Sequence, residues 1–200
     1  MDFKVIVGII AVLLTFIGYV PYIRDLIQDK IQPHIYSWFI WGIMTSIVFA
    51  LQISDQAGPG AFVTLAAAMS VIVVFTLSFF KKGKRDIVLA DTVFFILAFV
   101  ALSLWLVAKQ PVLSVILLTT TEVFAFIPTI RKSWRKPYSE TLAFYVINTL
   151  RFALAVMALE RYTVVTSLYP VVWFFGNGLF ATMLGMRRKQ LTLIKSKELT

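Results

Sequence analysis

The chain has 200 residues, of which 60% are hydrophobic and 14% charged, and its formal net charge is +9. Soluble domains are nearer half apolar and about a quarter charged, so this composition excludes a water-soluble globular protein and predicts a membrane protein. The chain contains no cysteine and a single histidine, His34. Disulfides, thiolate chemistry and a zinc centre are therefore excluded, and we expect no cofactor or metal.

Seven apolar segments approach the roughly 20 residues that a membrane-spanning helix needs. They cover residues 5–23, 35–51, 61–80, 87–108, 112–130, 141–159 and 164–186. The first is interpreted as a retained helix rather than a signal peptide, because it is long, lacks an Ala-x-Ala cleavage pattern and ends in Pro21 and Arg24. The predicted fold class is all-α, a polytopic membrane protein with seven transmembrane helices.

The distribution of Lys and Arg predicts the orientation. Fifteen basic residues fall on one side of the predicted spans, whereas Lys4, Lys109 and Arg161 fall on the other. The positive-inside rule then places the N-terminus outside and the C-terminus in the cytoplasm. This explains the net charge without nucleic acid, which we do not expect as a partner. Short loops and the lack of Asn-x-Ser/Thr sites suit a bacterial cytoplasmic membrane.

The sequence contains an internal repeat. Residues 16–24 read FIGYVPYIR and residues 123–131 read VFAFIPTIR, which aligns Pro21 with Pro128 at an offset of 107. Pro33 and Pro137 precede the second and sixth spans in the same way, at an offset of 104. Such self-similarity predicts duplication of a three-helix unit.

The repeat divides the chain into four parts. Residues 1–82 form the first triple-helix repeat, 83–109 a linker transmembrane helix, 110–189 the second repeat and 190–200 a cytoplasmic tail. Because three crossings would invert the second unit, one extra crossing gives both repeats the same orientation. Parallel repeats of this kind occur in transporters, which bind substrate near the midplane at the repeat interface.

This 3+1+3 plan, with a proline near the cytoplasmic end of spans one and five and a short polar loop after it, resembles the SWEET and PQ-loop (MtN3-like) superfamily of small-solute transporters. The nicotinamide-riboside class of vitamin transporters is similar in plan. The resemblance covers nearly the whole chain. It implies a small-molecule solute as ligand and the lipid bilayer as environment, and homo-oligomerisation stays open.

Two ionisable residues are predicted deep in the membrane. Glu122 and Arg151 lie roughly 15 Å and 12 Å below the outer boundary at about 1.5 Å per residue. They form either a structural ion pair or a functional site in which Glu122 exchanges protons and frees Arg151 for substrate. The repeat equivalents are Thr15 and Ile47, so the charges make the pocket asymmetric, which favours an asymmetric or anionic solute over a neutral sugar.

The two asparagines of the chain, Asn148 and Asn177, both fall within predicted spans. Asn148 shares a helix face with Arg151, and Asn177 shares one with Trp173. The resemblance implies a sugar-binding role for Asn177 and Trp173, since SWEET transporters use an asparagine on span seven with aromatic neighbours. The alternative for both asparagines is hydrogen bonding between helices.

Aromatic and proline residues complete the candidate site. Trp41 aligns with Tyr145 across the repeat, so flat stacking surfaces are expected in both halves. Trp38, on the same stripe as Trp41, is interpreted as an interfacial residue. Pro21 and Pro128 either end their helices or act as hinges of a cytoplasmic gate.

The function that these features favour is a transporter or facilitator for a small polar solute such as a sugar, an amino acid or a vitamin-like metabolite. It would work by alternating access with coupling through Glu122. The alternatives are a seven-helix receptor or sensor without transport and a structural membrane subunit. An enzyme is not expected, because no hydrolytic motif is present.

Overall fold

The computed structural model describes residues 2–31, 35–81, 89–138 and 140–197. Pro33, His34 and the predicted boundary between residues 82 and 83 lie outside the described residues, as does the side chain of Pro128. Within these ranges the chain forms seven α-helices: α1 (Phe3–Ile27), α2 (Ile35–Ser54), α3 (Pro59–Phe80), α4 (Leu89–Leu106), α5 (Pro111–Arg135), α6 (Leu142–Met157) and α7 (Val164–Lys197). The all-helical fold class is therefore confirmed.

Four of these helices are long and apolar enough to cross a membrane. They are α1, α3, α5 and the part of α7 from Val164 to Thr192, while the apolar parts of α2, α4 and α6 are shorter. Large apolar side chains cover the outside of the bundle, as on α1, where Ile6, Ile10, Leu13 and Ile17 are exposed one helical turn apart. A surface of this kind suits lipid rather than water, so the chain is a membrane protein.

The two three-helix segments pack in a defined order. In the described residues α3 contacts both α1 and α2, and α7 contacts both α5 and α6. The segments meet where α1 packs along α6 and where α2 contacts α5 and α7. Helix α4 packs mainly on α5 and also touches α2, so it lies against the seam between the segments.

Side-chain contacts define the two ends of the bundle. At one end the Lys4 ammonium lies 5.6 Å from the centre of the Tyr162 ring, which brings the N-terminus beside the α6–α7 loop. At the opposite end Lys81 donates a hydrogen bond to the Ile27 carbonyl. Arg188 likewise donates to the Pro137 carbonyl at 3.0 Å. The described basic residues are concentrated at this second end, which we call the basic end.

At the other end, called the outer end here, the α2–α3 and α6–α7 loops are joined through their backbones. Glu160 N–H donates to the Ala57 carbonyl at 3.0 Å, and Gly60 N–H donates to the Ala158 carbonyl at 3.1 Å. A Cβ at Gly60 would lie 2.8 Å from the Ala155 carbonyl oxygen. Only glycine permits this approach, so position 60 fixes how closely the two segments meet.

Side chains add to this junction. Gln52 Nε2 donates to the Thr166 carbonyl at 3.1 Å, and the Thr163 hydroxyl donates to the Asp55 carboxylate. Each bond links α2 or its following loop to α7 or its preceding loop. Backbone and side-chain hydrogen bonds therefore close the outer end across both segments.

The helix ends differ from the sequence prediction at three places. Helix α1 continues through Pro21 to Ile27, and α5 continues through position 128 to Arg135, so neither helix ends at its proline. Helix α7 extends to Lys197, so residues 190–197 of the predicted tail prolong the last helix. The interpretation of Pro21 and Pro128 as helix ends is therefore wrong, because tertiary packing continues both helices beyond them.

Candidate functional site

The carboxylate of Glu122 is buried between α5, α7 and α2. Trp173 Nε1 donates to Glu122 Oε2 at 3.0 Å, and Thr45 Oγ1 donates to Glu122 Oε1 over a longer distance of 3.5 Å. Only 4% of the Glu122 surface is exposed. Both carboxylate oxygens thus have a neutral donor, and the contact with Thr45 crosses from one three-helix segment to the other.

Arg151 is buried on α6 to the same extent as Glu122. Its Nε donates to the Asn148 Oδ1 atom one turn earlier, and its guanidinium carbon lies 4.1 Å from the centre of the Phe152 ring. Nη1 is buried and has no hydrogen-bond partner among the described residues. One edge of the guanidinium is therefore anchored within α6, while Nη1 stays unpaired.

Glu122 and Arg151 do not form an ion pair. Among the described residues the ion pairs are Arg24 with Asp25 and Lys81 with Asp29, all at the basic end. Helix α7 packs against both α5 and α6 and so separates the helices that carry the two charges. The described structure therefore contains no direct ion pair between Glu122 and Arg151, and the functional alternative stays a prediction.

Two phenols connect the charges into one cluster. The hydroxyls of Tyr19 and Tyr169 both interact electrostatically with Glu122 and with Arg151. The Tyr169 ring also lies 6.0 Å from Phe152 and 6.5 Å from Trp173, centre to centre. The cluster thus receives side chains from α1, α2, α5, α6 and α7.

Neither phenol was predicted from the sequence as a site residue. Tyr169 lies four residues before Trp173, and that spacing was the available signal, since it places both residues on one face of α7. Tyr19 lies four residues after Thr15, the repeat equivalent of Glu122. Nothing in the sequence alone indicated that α1 would pack along α6 and bring Tyr19 near Arg151.

Trp41 and Tyr145 lie in an aromatic layer that extends from Trp173 of the cluster toward the basic end. Trp41 packs at 5.4 Å on Trp38, and Tyr145 packs at 4.5 Å on Phe180. Tyr145 also donates to the Glu140 carboxylate at 3.0 Å. The layer is a continuous series of ring contacts: Trp41, Trp38, Tyr22, Phe144, Tyr145, Phe180, Phe126 and Trp173.

This layer corrects the interpretation of Trp38. Only 7% of its surface is exposed, and it packs on Tyr22 at 5.1 Å and on Trp41. A belt residue would present its ring to the membrane interface. Trp38 instead belongs to the interior, where the layer closes the bundle on the basic side.

The remaining candidates lie around the cluster. Asn177 is buried, and its side-chain N–H donates to the Trp173 carbonyl at 2.7 Å on its own helix, so this bond is not one between helices. Pro21 lies inside α1 between Tyr19 and Tyr22, one residue of the cluster and one of the aromatic layer. Position 128 lies within α5.

No protein-family model, no curated protein and no solved structure matches this chain.

Proposed function

We propose that this protein is a membrane transporter or facilitator that moves a small polar solute by alternating access. The observation that carries the proposal is the buried cluster around Glu122 and Arg151, which receives side chains from five helices. Ionisable residues at such depth are costly and typically belong to solute or ion pathways. The bundle encloses them between two three-helix segments, where transporters built from repeats bind substrate.

The packing of the helices supports two parallel repeats. When α1, α2 and α3 are matched with α5, α6 and α7, the contact of α1 with α3 corresponds to that of α5 with α7, and the contact of α2 with α3 to that of α6 with α7. Between segments, the pairing of α1 with α6 corresponds to that of α5 with α2. This correspondence fits a twofold axis along the membrane normal, with α4 as the linker.

The ends of the bundle support the proposed orientation. The described basic residues gather where α1, α3, α5 and α7 end, and the N-terminus lies at the outer end with the loop of Tyr162. We place the basic end in the cytoplasm by the positive-inside rule. Seven crossings then give an external N-terminus in the cell membrane.

Two closures flank the cluster, as alternating access requires. The α2–α3 and α6–α7 loops, which are joined by the hydrogen bond from Glu160 to Ala57, serve as the outer gate. The aromatic layer serves as the cytoplasmic gate. Pro21 lacks the N–H that a helix interior uses, which weakens α1 between the cluster and that layer. We assign Pro21 and, by the repeat, Pro128 as the hinges.

The residues divide by role. Glu122 is the coupling group, because its buried carboxylate has only neutral hydrogen-bond donors. Arg151, Asn148 and Trp173 contact substrate in the cluster, with Asn177 one turn away on α7, while Trp41 and Tyr145 stack on solute as it passes the cytoplasmic gate. The 3+1+3 plan and these positions support our proposal that the protein is related to the SWEET and PQ-loop superfamily.

Counterflow in proteoliposomes tests the proposal. Proteoliposomes that contain the purified protein are loaded in turn with sugars, amino acids, nucleosides, vitamins and organic acids. Exchange of the labelled solute is followed at acidic and at neutral pH. We expect saturable exchange for one class, strongly reduced in Asn177→Ala. Thr182→Ala is the matched control, because Thr182 likewise bonds a carbonyl on α7, that of Gly178, but is exposed.

Absence of exchange for every class, with protein that elutes as a single folded species, would contradict the transporter and favour a sensor or structural subunit. Exchange that survives in Asn177→Ala would keep the transporter but remove Asn177 from the site.

A further inference from the structure

Arg151 carries a buried positive charge that no anion of the described chain neutralises. We propose that the solute supplies this anion, so that the site takes a small monocarboxylate whose carboxylate binds Arg151. The inference rests on the proposed function and names the chemical class of its substrate.

The guanidinium of Arg151 is anchored, but not all of its N–H donors have a hydrogen-bond partner. Asn148 fixes Nε, Phe152 lies beside the guanidinium, and Nη1 is buried without a partner. A buried charge without a counter-charge is strongly unfavourable, since burial removes its hydration. An anchored arginine with unused donors is the arrangement that recognises a planar carboxylate.

Glu122 is not the counter-anion of Arg151. Its two oxygens accept hydrogen bonds from Trp173 and Thr45, which belong to α7 and α2 rather than to α6. No ion pair between Glu122 and Arg151 exists in the described ranges. The guanidinium is therefore available to a ligand while Glu122 keeps its own partners.

The charge and the lining of the cluster indicate the charge and shape of the ligand. Among the described residues Glu122 and Arg151 are the only buried charged ones, so the cluster offers one positive charge when Glu122 carries its proton. A monocarboxylate balances that charge, whereas a phosphate dianion would leave a buried negative excess. The Phe152 ring lies 4.1 Å from the guanidinium carbon, which suits a solute with a short apolar body.

The experiment compares acids with their neutral amides on the wild-type chain in detergent. The probes are acetate, lactate, pyruvate and benzoate against acetamide, lactamide, pyruvamide and benzamide, with inorganic phosphate as a separate arm and chloride to match ionic strength. Thermal unfolding and equilibrium binding are measured for each. We expect at least one acid to bind and stabilise the protein, and its amide to bind roughly tenfold or more weakly, since hydrogen bonds to charged groups are the stronger ones.

Two variants locate the effect. Arg151→Gln should abolish the preference for acid over amide, whereas Arg161→Gln, at an exposed arginine of the outer end that donates to Gln56, should retain it. Arg151→Lys should keep part of the preference, because the ammonium preserves the charge but lacks the planar, bidentate geometry of the guanidinium. If Arg151→Gln does not fold, the comparison of acid with amide on the wild type still decides whether the protein prefers a carboxylate.

The outcomes separate this inference from the proposed function. Equal binding of acids and amides, tighter binding of phosphate than of any carboxylate, or no binding of any carboxylate would each overturn the inference. Saturable counterflow of a neutral solute that persists in Arg151→Gln would also overturn it while keeping the transporter. Acid-specific binding without counterflow would keep the anion site and contradict transport.

Discussion

The indole N–H of Trp173 on α7 donates a hydrogen bond to the carboxylate of Glu122 on α5 at 3.0 Å. The same carboxylate accepts from Thr45 on α2, so it joins the second three-helix segment to the first. A change in the protonation of Glu122 alters its capacity to accept these bonds. The protonation state of Glu122 is therefore linked to the packing of the two segments against each other.

Glu122→Gln should make solute exchange independent of pH while leaving the protein folded. The amide cannot gain or lose a proton, yet its oxygen can still accept from Trp173. The titratable groups that interact with Glu122 are the phenols of Tyr19 and Tyr169, so Glu122 is the one carboxylate in the described part of this cluster. Counterflow at a series of pH values measures the effect.

Asp2→Asn is the control for this prediction, because Asp2 is an exposed carboxylate that precedes α1. It should preserve the wild-type pH profile. A Glu122→Gln protein with an unchanged pH profile would remove the coupling role from Glu122. Loss of folded protein in Glu122→Gln would instead assign the carboxylate to packing.

Gly60→Ala should destabilise the protein by about 1–3 kcal/mol through overpacking. The added Cβ would lie 2.7 Å from Leu159 Cδ2 and 2.8 Å from the Ala155 carbonyl oxygen, and the latter belongs to a helix backbone that cannot easily move. Thermal unfolding in detergent checks the loss. We expect the variant to weaken the outer junction without touching the cluster.

Gly185→Ala is the matched control within α7. A Cβ there meets no atom within 4 Å, so the substitution should be neutral or stabilise by roughly 0.5–1 kcal/mol through helix propensity. Equal effects at positions 60 and 185 would contradict the close approach at the outer end.

Pro21→Ala should raise thermal stability and slow exchange. Alanine restores an N–H donor inside α1 and removes the clash of the proline ring, a change of up to about 3 kcal/mol in a helix interior. A stiffer α1 would resist bending between Tyr19 and Tyr22. The initial rate of counterflow and the unfolding temperature are measured on the same preparation.

Pro111→Ala provides the comparison, because Pro111 is the first residue of α5, where a helix has no use for the missing N–H. It should change neither stability nor rate appreciably. Unchanged or faster exchange in Pro21→Ala would contradict a hinge at this position.

A disulfide across the outer end should lock the transporter. The Thr163 hydroxyl donates directly to the Asp55 carboxylate, so cysteines at these two positions would face each other across the junction. The chain has no native cysteine, so the pair forms without competition. We expect oxidation of Asp55→Cys with Thr163→Cys to stop exchange and reduction to restore it.

Each single cysteine variant is the control and should be insensitive to oxidant. Full exchange by the oxidised double variant would show that the outer end need not open. In that case the aromatic layer alone would gate the pathway.

Composition and apolar runs were sufficient to predict the all-helical membrane fold. The seven predicted segments correspond in order to α1 through α7, and the predicted starts of α1, α3, α5, α6 and α7 lie within two residues of the helix starts. The ends were predicted less well at α1, α5 and α7, because Pro21, Pro128 and the basic residues after Met186 are typical of helix termination. Packing against neighbouring helices overrides those local preferences.

The sequence by itself determined which residues are buried charges, since Glu122 and Arg151 stand out in apolar runs and the bilayer makes any such residue exceptional. Only the tertiary structure decided how they are used. Helix α7 packs between the helices that carry them, so Glu122 receives Trp173 and Thr45 while Arg151 keeps Asn148 and an unpaired Nη1. Depth along a helix follows from counting residues, but a hydrogen bond depends on the rotation and neighbours of each helix, which packing alone sets.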